Sequence, residues 1–444
     1  MEPAIVVKPP GPNARQILER DAKVIAQSMI REYPLVLQKA KGMNLWDVDG
    51  NRYLDFTAGI SVMNVGWNHP KVVKAIREQA GQLSHGAFLD FCSELPVRFA
   101  EELVRLLPRG LDRVSLSNSG AESVEAAMKL ARHHTGRNFF ISFLGGFHGR
   151  TYGALSLTAG KTVQRARFGP FLPVIHVPYA NPYRPPRGCG PTCDLDAVAY
   201  LEEEIFRREV DPREVAAIVV EPVQGEGGYI VPPLSFMKRL RGICDRYGIL
   251  LISDEVQSGC YRTGRFLACE HSGVVPDIVC LAKAIGGGIP MGVTVASDEV
   301  MSWPRGAHAS TFGGNNIAAA AALAVLEIMG EPDFARRVVD RGKMLLRGLE
   351  RLKRKHPLVG DVRGLGLMCG MELVLDRDTK EPATAERNAV LHGAFESGVT
   401  FLSAGYSAIR FSPPLILGRR DIGIALQTLD SALARVGEGV SKND

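Results

Sequence analysis

ILLISDEVQSG at 249–259 and DIVCLAKAIGGGIPMG at 277–292 each open with a short apolar run, and Asp254 closes the first run as Lys283, 29 positions on, closes the second. Runs of about four to eight such residues, rich in β-branched side chains, read as strands buried on both faces. Five further stretches repeat the pattern: VSLS at 114–117, FFISF at 139–143, VIHVP at 174–178, AIVVEPV at 217–223 and VTVAS at 293–297. Seven strands alternating with helical patterns predict an α/β domain, a mostly parallel seven-stranded sheet wrapped by helices. Ligands of such sheets bind beyond the carboxyl ends of the strands, where Asp254 and Lys283 stand.

Outward from this core, an amphipathic helix is expected around Ala14 to Ile30. NLWDVDGNRYLDF at 44–56 then carries Asp49-Gly50, a hairpin turn between alternating strands. After Phe334, two helical blocks flank VRGLGLMCGMELV and AIRFSPPL, the pattern of a small α+β domain. The expected division is a large domain of residues 66–333, with 1–65 and 334–444 forming the small one. The alanine run after Asn316 reads as a close-packing helix face.

The chain has 444 residues, 45% hydrophobic and 23% charged, ordinary values for a globular protein with a sizeable core. Its 53 basic and 48 acidic residues leave +5, without the basic run and interleaved aromatics of a nucleic-acid surface. No stretch is apolar enough to span a membrane, and Met1 to Gly11 is too short and too proline-broken for a signal peptide, so a cytoplasmic protein is expected. Most of the eight cysteines fall in apolar stretches, as reduced core thiols do. Cys189 and Cys193 in PPRGCGPTCD differ, as half of a metal site or a loop disulfide. Without a second pair nearby, no metal is expected.

Asp254 and Lys283 suit a cofactor with two opposite handles. A lysine amine condenses with an aldehyde, and a buried carboxylate keeps a pyridine nitrogen protonated, which together describe pyridoxal 5′-phosphate (PLP). Taken singly, each has a plainer reading, as a helix cap or a solvated loop lysine. SNSGAESVEAAMKLA at 117–131 starts a helix where a strand ends, with Ser119 and Glu122 placed as a capping box and Gly120 admitting a phosphate to the backbone N–H groups. In LGGFHGRT at 144–151, Phe147 and His148 offer a flat aromatic to one ring face, and Arg150 suits a carboxylate. Val256 would cover the other face and Gln257 would donate to the ring oxygen. In VVEPVQGEGGYIVP at 219–232, Glu221 and Glu226 read first as solvated loop residues, although the glycines mark a backbone passing close to something.

Together with DFTAGISVMNVGWNHP, SDEVQSGCYRTGR, STFGGN, VRGLGLMCGMEL and IRFSPPL, in that order, these motifs resemble the class III (ω-amino-acid) PLP-dependent aminotransferases over residues 44–417. The group is that of 4-aminobutyrate, ornithine and acetylornithine aminotransferases, with PLP fold type I. The resemblance implies that Lys283 carries the cofactor covalently, Asp254 pairs with its pyridine nitrogen and Gln257 contacts its phenolic oxygen. Ser119, Gly120 and Ala121 would hold the phosphate, joined by Thr311 of the partner subunit in a homodimer with shared sites; pairing into tetramers stays open. Arg410 would anchor a substrate α-carboxylate, Glu226 would gate it, and Arg150 would hold the far carboxylate. Ile60 resembles the 4-aminobutyrate type, where the ornithine type usually has tyrosine. Tyr261 falls near the cofactor mouth without a role. The implied reaction moves an amino group from an ω-amino acid to 2-oxoglutarate, and an amino-acid racemase or epimerase on the same scaffold is the alternative.

Overall fold

In the computed structural model, which describes residues 1–186 and 193–440, the chain forms two units: Met1–His69 with Arg336–Asp444, and Pro70–Ala335. Cys189 and the Cys193 side chain, on which the metal or disulfide reading rests, lie outside the described residues. In chain order the strands are β1 (Leu37–Lys41), β2 (Asn44–Asp47), β3 (Arg52–Asp55), β4 (Arg113–Ser117), β5 (Phe139–Phe143), β6 (Val174–Val177), β7 (Val215–Val220), β8 (Leu250–Asp254), β9 (Ile278–Leu281), β10 (Gly292–Ala296), β11 (Val359–Leu365), β12 (Met368–Leu373), β13 (Val399–Thr400), β14 (Leu402–Ala404) and β15 (Ala408–Phe411).

The larger unit is built on a seven-stranded sheet of order β4-β10-β9-β8-β7-β5-β6. Five of its strands run parallel in the succession β9-β8-β7-β5-β6, whereas β10 lies antiparallel to both β9 and β4. Every residue of β7, β8, β9 and β10 is buried, which explains their unbroken apolar character. One boundary differs from expectation. The run AIVVEPV is strand only to Val220, because Pro222 has no N–H for a ladder bond. The helix Asn316–Met329, capped by Asn315 on the N–H groups of Ile317 and Ala318, buries its alanines against the helices Pro70–Ala80 and Glu94–Leu106.

The smaller unit holds two four-stranded sheets, β1-β2-β3-β13 and β11-β12-β15-β14. β2 and β3 form the expected hairpin, closed by Asp47, whose carboxylate accepts from the N–H groups of Asp49 and Asn51. Tyr53 and Tyr33 stack on Phe395 at ring distances of 5.1 and 4.6 Å in its core. The first helix, expected to Ile30, covers only Pro12–Val24. Val24, Met29 and Ile30 are exposed, so no buried face rewards its continuation. Cys244, Cys260, Cys269, Cys280 and Cys369 are buried thiols, and Cys92 is exposed. Among the described residues, no helix is long and apolar enough to cross a membrane.

Candidate active site

Asp254 is the last residue of β8, and Lys283 follows the end of β9, the strand hydrogen-bonded to it. Asp254 is buried, with both oxygens engaged: Oδ1 accepts the Val256 N–H at 3.0 Å and Oδ2 lies 2.7 Å from His148 Nδ1. Lys283 sits at φ 46°, in the left-handed region. For a residue with a Cβ that conformation costs about 1–3 kcal/mol, and such strain concentrates where position matters more than local stability.

Around this pair the strand-end loops converge. Ser119 caps the helix Gly120–Thr135, its Oγ accepting the Glu122 N–H at 3.2 Å. The reciprocal bond differs from a capping box, since the Glu122 carboxylate takes the N–H of Asn118 at 2.6 Å. Gly120 lies so close to Val256 that a Cβ there would stand 2.8 Å from its Cγ1. The glycine-rich loop after β7 approaches from the other side, a Cβ on Gly225 falling 2.5 Å from Gln257 Nε2. Gln257 Oε1 is buried without a hydrogen-bond partner, an acceptor left open for an O–H or N–H of a bound group rather than the donor the sequence suggests. An amine, a buried carboxylate, a helix start and this amide fit the donor set that PLP requires.

His148 is fully buried between two carboxylates, Asp254 and Glu221. Burial opposes its charge, but the hydrogen bond and charge of Asp254, with the charge of Glu221, outweigh it and raise the imidazole above its ordinary range. Glu221 corrects its reading as a solvated residue. It is buried, accepts the N–H groups of Phe147 and Gly225 at 3.0 Å each, and is pushed by burial up to about 7. Phe147 itself is half-buried. Glu226 is half-buried, 2.8 Å from Lys161 Nζ, a partner that no local motif announces. Arg150 and Thr311 are exposed, and Ser310, next to Thr311, accepts from Asn118 Nδ2 at 2.7 Å. Tyr261 packs edge-on against Phe266 and Phe334, an aromatic cluster that accounts for it by packing.

Two of the singled-out residues belong to the smaller unit. Arg410 is buried in β15, opposite Gly370 and Leu402. Ile60, 45% exposed, stands in a turn whose four residues Ala58, Gly59, Ile60 and Ser61 all have φ between 47° and 66°. Left-handed runs cost about 1–2 kcal/mol per non-glycine residue. Asp55 holds this one, accepting from Thr57 N and Oγ1, Ala58 N, Trp67 Nε1 and Thr400 Oγ1. Ser412, two past Arg410, bonds Phe56 O through its N–H and Thr57 O through its hydroxyl, tying the two segments together.

The sequence profile of the family described as Aminotransferase class-III matches residues 25–433. The chain is 39% identical to a leucine/methionine racemase of Thermococcus litoralis, covering 96% of each protein. It is 40% identical to a 5-aminovalerate aminotransferase of Pseudomonas aeruginosa, over 90% of this chain and 94% of that one. Among solved structures it resembles the taurine:2-oxoglutarate aminotransferase of Bifidobacterium kashiwanohense in complex with PLP and glutamate, with a TM-score of 0.89, 30% identity and coverage of 96% and 98%.

Proposed function

The chain belongs to the class-III aminotransferase family, and from that premise we propose that it transfers an amino group from an ω-amino acid, 4-aminobutyrate-like or of the ornithine and acetylornithine type, to 2-oxoglutarate. Its cofactor is PLP. When bound, this group supplies an electron sink for the substrate carbon bearing nitrogen. The observation that carries the reading is the placing of Asp254 and Lys283 at the ends of bonded neighbours β8 and β9, beside the start of the helix Gly120–Thr135.

In this reading Lys283 would hold the cofactor, and its Nζ, released when the substrate amine takes its place, would accept the proton of the substrate's nitrogen-bearing carbon as general base and deliver it to the cofactor's carbon, not back to the substrate, as general acid. Asp254 keeps the ring nitrogen protonated. Phe147 and Val256 cover the ring, Gln257 faces its phenolic oxygen, and Ser119, Gly120 and Ala121 hold the phosphate with Thr311 of the partner subunit. Arg150 grips the carboxylate far from the reacting carbon. Arg410 takes the α-carboxylate of glutamate or 2-oxoglutarate, and Glu226 neutralises it when an ω-amine occupies the site. A homodimer acting in the cytoplasm belongs to the same reading. The exposure of Leu89, Phe91 (70%) and Phe312 (60%) supports it, because apolar side chains so presented call for a cover.

Racemisation or epimerisation is the second reading, favoured by the similarity to the Thermococcus enzyme. A panel of amino donors with 2-oxoglutarate, followed by chiral analysis of the residual amino acid, separates the two. Glutamate formation from ω-amines is expected. Inversion of one α-amino acid without consumption of 2-oxoglutarate overturns the aminotransferase assignment. Lys283→Ala should abolish any borohydride-reducible lysine adduct while retaining noncovalent PLP binding.

A further inference from the structure

Glu221 stands outside the duties assigned above, yet it is buried with both carboxylate oxygens bonded to backbone N–H groups. Its Oε2 accepts the Phe147 N–H and its Oε1 the Gly225 N–H, while Tyr179 donates its hydroxyl to the Glu221 carbonyl at 2.9 Å. Tyr179 is itself wedged edge-on between Phe143 and Phe236. On the other side, His148 is anchored through its N–H to Thr158 Oγ1 at 2.9 Å and through Nδ1 to Asp254. Between them lies Gly146, where a Cβ would meet His148 Nε2 at 3.2 Å and Glu221 Oε2 at 3.6 Å. The imidazole edge and the carboxylate thus share a slot that only glycine leaves open.

We propose that Glu221 is a positioning residue for the cofactor's ring nitrogen, acting through His148 on Asp254 in a buried carboxylate–imidazole–carboxylate relay. The inference rests on the assignment of Asp254 to that nitrogen. A single carboxylate beside a fully buried imidazole must offset the whole cost of burying the cation, and a second one on the opposite edge shares that cost. With His148 charged, its Nδ1–H bond fixes Oδ2 of Asp254, as the Val256 N–H fixes Oδ1, so the remaining lone pairs have one direction left for the ring nitrogen. Lys283 faces Asp254 from the end of β9, and Tyr179, Cys280 and His176 also interact with the relay. Burial pushes Tyr179 and the Cys280 thiol well above their ordinary values, and burial, with the charge of Arg165, brings His176 down to about 4.

Glu221→Gln tests the relay, since the amide keeps the volume and one acceptor while removing the charge. Two quantities are read: the titration of His148 by nitrogen NMR in the apoprotein, and the dissociation constant of PLP by equilibrium dialysis. The His148 midpoint should fall by about one pH unit or more, and PLP should bind roughly tenfold or more weakly, the scale of losing an outer partner of a ligating group. Unchanged His148 titration overturns the relay even if PLP affinity falls, because Glu221 would then only pin the loop. A fallen midpoint with unchanged affinity overturns its connection to the cofactor. Should the glutamine variant fail to fold, Glu221→Asp, which withdraws the charge by one methylene, should move both readings the same way by less, and no movement of His148 refutes the proposal. If the wild-type protein binds no PLP, the assignment of Asp254 fails, while the His148 titration still reports on the relay.

Discussion

Substituting Gly120 by alanine isolates the closest approach in the site. The added methyl would stand 2.8 and 3.2 Å from the two Val256 methyls and 3.4 Å from Ala282 Cβ. Carbon atoms rest at about 3.5–4.0 Å, so Val256 must retreat by roughly 0.7–1.2 Å. It cannot do so freely, because its N–H is bonded to Asp254 Oδ1. Overpacking of this kind costs about 1–3 kcal/mol, which corresponds to PLP affinity lower by roughly 5- to 150-fold if the displacement falls on the ring-covering face. Stability of the apoprotein should change less, since alanine regains up to about 1 kcal/mol over glycine in a helix. The assay is PLP binding by dialysis, beside urea unfolding of the apoprotein, for Gly120→Ala, Val256→Ala and the double variant. Removing the Val256 methyls should restore most of the lost affinity, with a coupling energy of about 1–2 kcal/mol. Wild-type affinity in Gly120→Ala, or strict additivity in the double variant, would refute the reasoning.

Asp55→Asn should destabilise the protein by about 2–4 kcal/mol in chemical denaturation, because the amide cannot accept all five bonds that hold the turn at Ile60; a midpoint equal to wild type would show that the turn stands without it. Lys161→Met removes the cation 2.8 Å from Glu226 in a partly exposed pair, so the ratio of kcat/KM for an ω-amine to that for glutamate should shift by only about two- to fivefold, and an unchanged ratio separates Lys161 from the gate. Burial raises Glu221 from 4.5 to about 7, and His148 is raised as well, against burial, by Asp254 and Glu221. The folded protein therefore binds more protons than the unfolded chain, and the stability these groups contribute is full below about 4.5 and declines as pH rises through about 7. Unfolding free energies of Glu221→Gln should gain on those of wild type over that window, and a constant difference would contradict the shift.

The seven strands of the larger unit were readable from the sequence because burial on both faces demands unbroken runs such as AIVV at 217–220 and IVCL at 278–281. The same runs placed Asp254 and Lys283, since a polar residue closing a buried strand stands at the edge where ligands bind. Strand direction was not readable. VTVAS looks like its neighbours, yet β10 enters the sheet antiparallel between β4 and β9, a choice made by pairing partners distant in sequence. Glu221 shows the same limit: a glutamate among glycines matches a solvated loop, and only donors from Phe147, some 70 positions away, and from Gly225 make a buried carboxylate of it. The left-handed turn at Ile60 opposes every local preference and stands because Asp55 gathers Trp67 and Thr400 around it. Periodicity and punctuation are properties of neighbouring residues and survive in the sequence, whereas the burial of a charge and the holding of a strained backbone depend on groups that only folding brings near.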